Sequence, residues 1–279
     1  MVAAWRLADR YISFWPVFCP PRTGVFRDAA DEEMKLSVVI PAYNEALRIE
    51  PSLQRVWNYL RVCHGEGRFE IIVVDDGSND GTATTVEEFR AKAAEVRLIR
   101  FPHNRGKGAA VRVGMLAAIG DAILFSDVDF STPIEVVEGA LKLLQEGGDV
   151  VIGSRALAGS QVLVRQTLLR ETLGRLFNRL IRAFLRIPFR DTQCGFKLFR
   201  REAARAVFQR ARIDGFAFDV ETLLLALQLG YVVREMPVRW INDPESRVTL
   251  LRHPAQMLGD LWRIRRSLGD SSLHSARQR

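Results

Sequence analysis

Four short apolar runs limit what this chain can fold into more than any other feature. Leu36 to Ile40 (LSVVI), Phe69 to Val74, Val96 to Phe101 and Ala122 to Phe125 are rich in β-branched and aromatic residues and too short for buried helices. The first, second and fourth read as buried strands, and the third, with Arg97 and Arg100, as a further strand. Helical stretches separate them, at about Leu47 to Val62, Thr82 to Ala94 and Ala109 to Ala118. Such alternation builds a largely parallel sheet with helices on both faces. In these sheets ligands bind beyond the carboxyl ends of the strands. Asp76, Lys107 and Asp127 all lie just past such ends, so one crevice could hold all three.

The fourth run continues as ILFSDVDFSTPIE, with Asp127 and Asp129 one residue apart. The strand ends in this pair and is stopped by Pro133, and its period of two sends both carboxylates to one side. Two carboxylates that close repel unless a cation or a proton lies between them. Oxygen ligands of this kind suit Mg²⁺ or Mn²⁺. The competing reading is a polar strand end that caps the helix Ile134 to Gln145, beyond Pro133.

After Gly153 the pattern loosens. Val164 to Leu185 reads as a helical stretch carrying Arg165, Arg170, Arg175, Arg179 and Arg182. Asp191 to Phe199 reads as loop and strand, and Glu202 to Gln209 and Asp219 to Leu229 as helices. Tyr231 to Trp240 reads as an edge strand containing Pro237. Pro254 to Leu268 is a basic amphipathic helix, and 269–279 an expected disordered tail. Residues 1–35 form an aromatic-rich appendage, suited either to a membrane surface or to packing on the domain itself. The fold proper is therefore expected over 36–268.

The formal charge of +7 favours anionic partners. Cys19, Cys63 and Cys194 are far apart, which argues against a disulfide framework or zinc site and fits a reducing compartment. No run of about 18 apolar residues suggests a spanning helix, and the start lacks a signal-peptide pattern. Gly106-Lys107-Gly108 at a helix start could bind a diphosphate through backbone N–H groups and the helix dipole, or be a solvated lysine. The spacing is not that of a P-loop, and no strand is followed by GxGxxG, so nucleotide hydrolases and dinucleotide oxidoreductases are disfavoured.

VVIPAYNE (38–45), VVDDGSNDGT (73–82), NRGKGAAVR (104–112), the aspartate pair and GSR (153–155) resemble the GT-A fold glycosyltransferases of family 2. DTQCGFKLF (191–199), FAFDVE (216–221) and W-x-x-x-x-x-S-R (240–247) look like the dolichyl-phosphate glucosyltransferases and their bacterial relatives. The dolichyl-phosphate mannose synthases share most of the first half.

This resemblance implies an inverting transfer of one sugar from a nucleotide donor, UDP-glucose first and GDP-mannose or UDP-N-acetylglucosamine as alternatives, to a polyprenyl phosphate. It places Asp76 on the nucleobase edge with Val74 lining the pocket, and Pro41, Tyr43 and Glu45 in the nucleoside-binding loop. Lys107, Asp127 and Val128 complete the donor set, and Asp127 and Asp129 hold the metal. Ser131 stands where some mannose synthases have a third metal ligand. Arg155 and Arg170 would meet phosphate, although Gly174 replaces a serine of the mannose synthases. Ser246-Arg247 would close over the diphosphate. The implied enzyme is cytoplasmic and peripheral on a membrane, with no nucleic-acid partner.

Plainer readings accompany these. Asp75-Asp76-Gly77 fits turn chemistry, Asn44 a helix cap, and Arg155 a surface salt bridge. Asp219 and Glu221 fit helix-start capping, and Asp191 has a similar status. A phosphate acceptor is already largely dianionic at pH 7 and needs no general base. A soluble hydroxyl acceptor would need one, with Asp191 or Asp219 as the candidates.

Overall fold

The computed structural model describes residues 34–164, 178–241 and 254–268. Within them the expected alternation is realised. β1 (Leu36–Ala42), β2 (Phe69–Asp75), β3 (Val96–Arg100) and β4 (Ala122–Ser126) alternate with α1 (Ile49–Cys63), α2 (Thr82–Arg90) and α3 (Lys107–Ala117). A 3₁₀ turn, Ile134–Val136, leads into α4 (Val137–Gln145), which is followed by β5 (Val150–Ser154) and β6 (Gln161–Val164). Residues 178–185 are helical. Then come β7 (Phe196–Arg200), α5 (Arg201–Phe208), α6 (Phe218–Gln228), β8 (Val233–Pro237), β9 (Arg239–Ile241) and α7 (Pro254–Leu268).

Seven strands form one sheet in the order β3-β2-β1-β4-β7-β5-β8. Every neighbour pair is parallel except those made by β7, which runs antiparallel to both β4 and β5. Side chains alternate between two cores, as the pleat requires. Val38, Ile40, Ile71, Val73, Leu124, Val151 and Leu198 pack with α1, α2 and α4. Val39, Ile72, Val74, Ile123, Phe125, Val150, Ile152 and Phe199 pack with α3, α5, α6, α7 and the helical residues 178–185. Gly114 lets α3 lie close on the sheet: a Cβ there would stand 2.3 Å from Val39 Cγ1.

Two features differ from the sequence reading. The single edge strand expected over 231–240 is two strands. Pro237 has no N–H to continue the ladder and ends β8 at the edge of the main sheet. The buried Val238 then receives the Gln161 N–H on its carbonyl (3.0 Å), and β9 pairs in parallel with β6 as a separate small sheet. The unforeseen β6 takes up the start of the arginine-rich stretch; residues 165–177, like 1–33, 242–253 and 269–279, lie outside the described residues.

Glu70 on β2 is a buried junction. It accepts the Ser37 hydroxyl (2.6 Å), the Ile119 N–H (2.7 Å) and the Arg97 guanidinium (2.7 Å). Burial works to raise its pKa, but these donors together hold it below the usual carboxylate value. A carboxylate with a depressed folded pKa contributes stability above its unfolded pKa and loses it as pH falls through the folded one. Glu70→Gln should therefore lower stability by about 1–2 kcal/mol at pH 7. In urea titrations the gap between the two proteins should close in acid, below about pH 4.

Candidate active site

The residues just beyond the carboxyl ends of β1, β2 and β4 are tied together through the loop after β3. Asp76 follows β2 and accepts the N–H groups of Arg105 (2.7 Å) and Gly106 (2.9 Å) and the Asn104 amide (3.0 Å). Burial raises its pKa, with these bonds opposing and Asp75 adding to the rise. Gly77 has φ +73°, and a Cβ there would strike the His103 backbone at 2.4 Å, so the turn after β2 packs directly on the loop after β3. Gly106 (φ +104°) precedes α3, which begins at Lys107.

Three of the N–H groups at the helix start are already engaged within the protein. Gly106 donates to Asp76, and Gly108 (2.7 Å) and Ala109 (3.3 Å) donate to the Asp214 carbonyl. The side chain of Lys107 carries the charge instead. Its ammonium stands 2.7 Å from Asp127 Oδ1 and 5.4 Å from the centroid of the Phe125 ring.

Asp127 and Asp129 are brought together by a turn, not by the strand period, because β4 ends at Ser126. The Phe130 N–H closes back on the Asp127 carbonyl (3.1 Å), with Phe130 at φ +42°. Asp129 Oδ1 accepts the Ser131 N–H (2.9 Å), and the Ser131 hydroxyl also bonds this carboxylate. Ser131 thus serves as a partner of Asp129. Its carbonyl accepts the Ile241 N–H (2.8 Å), which ties β9 to this turn. Burial first, and then the neighbouring charge of Asp127, push Asp129 up to about 6. A divalent ion would relieve that repulsion. Mg²⁺ and similar ions need only one or two protein carboxylates when substrate phosphates supply the other oxygens. Asp127 and Asp129 fit that role. Among the described residues no group of three or more potential metal-binding side chains occurs.

Beneath this pair lies chemistry that the sequence reading left out. Lys197 on β7 is buried and reaches both Asp219 Oδ1 (2.5 Å) and the Cys194 carbonyl (2.7 Å). Asp219 therefore does not cap α6. Burial raises its pKa while Lys197 and then Lys107 lower it. Glu221 likewise binds elsewhere, accepting the N–H groups of Arg212 and Ile213. The one available signal was a lysine inside the apolar strand FKLF. Gly195 is the other omission. The Asp127 N–H donates to its carbonyl (3.2 Å), and a Cβ there would lie 2.0 Å from Asp127 Oδ2.

Arg155 is held by Asp191, through Nε–Oδ2 (2.6 Å), NH2–Oδ1 (2.9 Å) and its own N–H (3.0 Å). It also lies over the Trp240 ring at 5.5 Å. This is a largely buried pair, and Asp191 in turn is fixed by its N–H donating to Glu235 (2.9 Å). Burial opposes the charge on Asp191, but Arg155 holds it below the usual range. Burial similarly opposes the charge on Arg155, and Asp191 more than restores it. Burial, with Asp191 nearby, pushes the Cys194 thiol up to about 11, so it is unreactive.

The remaining candidates are placed as follows. Tyr43 is exposed, and Pro41 is half-buried in β1 opposite Val74. Glu45 is clamped on Arg48 (2.7 and 2.9 Å). Asn44 (φ +55°) accepts the Asn79 N–H rather than capping α1. Val74 is a core residue, fully buried, with its Cγ2 3.0 Å from where a Gly114 Cβ would be. Val128 is buried, and its carbonyl takes the Ser52 hydroxyl (2.6 Å). Asp75 is fully buried and accepts the Ser78 N–H on Oδ1 (3.0 Å), in keeping with turn chemistry; its Oδ2 lies 3.3 Å from Arg100 Nε and has no hydrogen-bond partner. Arg170 and Ser246-Arg247 lie outside the described residues.

An α/β crevice with an acidic pair after the fourth strand and a doubly antiparallel β7 defines a class, and comparison with known proteins agrees. Residues 37–208 match the model of the glycosyl transferase family 2 domain. The chain belongs to that family and is a hexosyltransferase. It is 36% identical over 252 residues to the dolichyl-phosphate beta-glucosyltransferase of Saccharomyces cerevisiae, covering 84% of this chain and 75% of that one. With the Drosophila melanogaster enzyme of the same name it shares 39% over 242 residues, 83% and 74% of the two chains. Among solved structures it is similar to glucosyl-3-phosphoglycerate synthase from Mycobacterium tuberculosis, in complex with Mn²⁺, UDP-glucose and phosphoglyceric acid. The TM-score is 0.56 at 22% identity, covering 86% of this chain and 82% of that one. The fold is GT-A.

The contact between Gly195 and Asp127 is a test of the site's geometry. Gly195→Ala should keep the melting temperature within a few degrees, because Asp127 can swing into the crevice. Displacing it should cut sugar transfer by roughly a hundredfold, the size of effect seen when a reacting group is misplaced by about 1 Å. Thermal melting and initial rates, measured on the same preparation, check both halves.

Proposed function

We propose that this protein transfers glucose from UDP-glucose to a dolichyl or related polyprenyl phosphate, with inversion at the anomeric carbon. Support for the sugar and the acceptor comes from the yeast and fly relatives. Support for the donor site comes from the cluster of Asp76, Lys107, Asp127 and Asp129 beyond the strand ends.

The observation that carries the choice of acceptor is the state of the two candidate bases. A soluble hydroxyl acceptor needs a carboxylate free to take its proton. Asp191 is held in a bidentate pair by Arg155, and Asp219 is buried against Lys197. Neither can take up that role. A phosphate monoester arrives already ionised, so its oxygen can attack the anomeric carbon while the bond to the diphosphate oxygen breaks. No proton has to move.

The chain's residues then divide the work by position. Asp127 and Asp129 would hold Mg²⁺ or Mn²⁺, which when bound offsets the charge on the departing diphosphate. Lys107 offers a second cation to the same group. Arg155, aimed by Asp191 and Trp240, presents a fixed guanidinium at the acceptor side of the turn. Arg170 and Arg247 would add phosphate contacts.

A lipid phosphate implies a membrane surface. No helix among the described residues is long and apolar enough to cross one. A peripheral mode fits the face shared by residues 178–185 and α7. Leu180, Phe184 and Trp262 are exposed there. Arg265 lies over the Phe184 ring (4.7 Å) and Arg266 over Trp262 (5.4 Å). Apolar side chains beside arginines suit an anionic leaflet, where each cation adds about 1 kcal/mol. The cytoplasmic face is the one that carries such charge.

With dolichyl phosphate in detergent, UDP-glucose should give a lipid-linked hexose detectable by mass spectrometry, and GDP-mannose and UDP-N-acetylglucosamine should give far less. Asp129→Asn should fold normally and lose roughly a thousandfold in rate, about 4 kcal/mol of barrier lowering. Transfer to soluble sugars in place of the lipid would overturn the acceptor assignment, and near-normal Asp129→Asn activity the metal assignment.

Sedimentation with liposomes tests the surface. The protein should pellet with anionic vesicles at low salt and less at high salt, because screening shortens the reach of its charges to about 8 Å at physiological ionic strength. Failure to pellet at low salt would sink the peripheral reading.

A further inference from the structure

We propose that Lys107 is a resident counter-ion for Asp127, and that it makes the divalent cation enter this site together with a nucleotide diphosphate rather than ahead of it. The inference rests on the assignment of Asp127 and Asp129 as the metal pair. It adds an order of binding and a residue that sets it.

The geometry carries it. The Lys107 ammonium is 2.7 Å from Asp127 Oδ1, one of the two oxygens that Asp127 could offer a metal. The lysine cannot drift from this place. The backbone on either side is fixed by Gly106 donating to Asp76 and Gly108 to the Asp214 carbonyl. The side chain passes the Phe125 ring, whose other cationic neighbour is Lys197, 5.9 Å from the centroid. Only the flexible end of the side chain can move, from Asp127 to another anion within reach. A compact ammonium on a four-carbon stem suits such a transfer.

Charge balance gives the direction. The groups facing one another are Asp127, Asp129 and Asp219 against Lys107 and Lys197, with Arg155 matched by Asp191. Three carboxylates and two ammonium groups leave one net negative charge. A dication arriving alone would invert that sign, and it would have to displace Lys107 from Asp127 with no new partner for the lysine. A dication arriving with a diphosphate, which carries at least two negative charges, does not invert the sign and gives the lysine an anion to turn to.

The test is Mn²⁺ binding, read by the electron paramagnetic resonance signal of free Mn²⁺, with and without UDP. The wild-type protein should bind Mn²⁺ weakly alone and much more tightly when UDP is present. Lys107→Met should bind Mn²⁺ alone roughly tenfold more tightly than wild type, and the enhancement by UDP should shrink by a similar factor, within the usual range for coupled ligands. Lys107→Arg, which keeps the charge, should retain weak binding of Mn²⁺ alone and guards against a misfolded methionine variant. If Lys107→Met binds Mn²⁺ alone no more tightly than wild type while UDP still enhances binding, the counter-ion role is wrong and the metal assignment stands. If wild type binds no Mn²⁺ even with UDP, the metal assignment falls and this inference with it.

Discussion

The contact on which the crevice depends is the buried pair between Lys197 and Asp219. It joins β7, the strand that runs against its neighbours, to the first turn of α6. Residues 213–218 lead into that turn and pack on the glycines around Lys107: the Asp214 carbonyl receives the N–H of Gly108, and the Phe218 ring stands 5.5 Å from that of Phe125. Gly195, just before β7, receives the N–H of Asp127. A single ion pair thus stands behind both the cation and the anion of the donor site. Such a pair gives little net stability, since desolvation offsets its attraction, but removing one partner would leave a charge stranded in the core. Its structural effect is to fix β7, α6 and the α3 entry relative to one another.

Much of the fold is legible in the sequence because parallel strands buried on both faces read as unbroken apolar runs, as Ile71 to Val74 and Ala122 to Phe125 do. Where the signal weakens, burial is partial. β8 and β9 carry Arg234, Glu235 and Arg239 among residues that are only half-buried, and nothing local distinguishes one strand of ten residues from two that join different sheets. Only the missing N–H of Pro237 and the buried Val238 between the sheets decide it. β6 has the same difficulty, being short, exposed and supported mainly by β9.

The site divides along a different line. The residue types were legible, while their geometry was not. Asp127 and Asp129 stand out by spacing, yet the turn that joins them relies on Phe130 at positive φ, a conformation no propensity would assign to phenylalanine. Asp76 stands out as well. Its oxygens nevertheless meet backbone N–H groups almost 30 residues further along the chain. Lys197 and Gly195 were hidden because a lysine in an apolar strand and a glycine before one both look incidental until β7 is seen to run antiparallel beside β4.

The loop after β3 shows why the distinction matters for mechanism. A glycine-flanked helix start is ordinarily a place where a phosphate meets backbone N–H groups. Here the N–H groups of Gly106, Gly108 and Ala109 are already engaged by Asp76 and by the Asp214 carbonyl, so much of this backbone serves as scaffold and side chains bring the charge. Side chains can change partners where a backbone cradle cannot. Lys107 on Asp127 and Arg155 on Asp191 are both cations with a carboxylate to rest on and an edge of the crevice to face. For the proposed donor, which carries a diphosphate, and the proposed acceptor, a phosphate, that arrangement would keep two anion-binding groups in place while the crevice is empty. It does so without leaving either cation to be neutralised by burial, or either carboxylate free to act as a base.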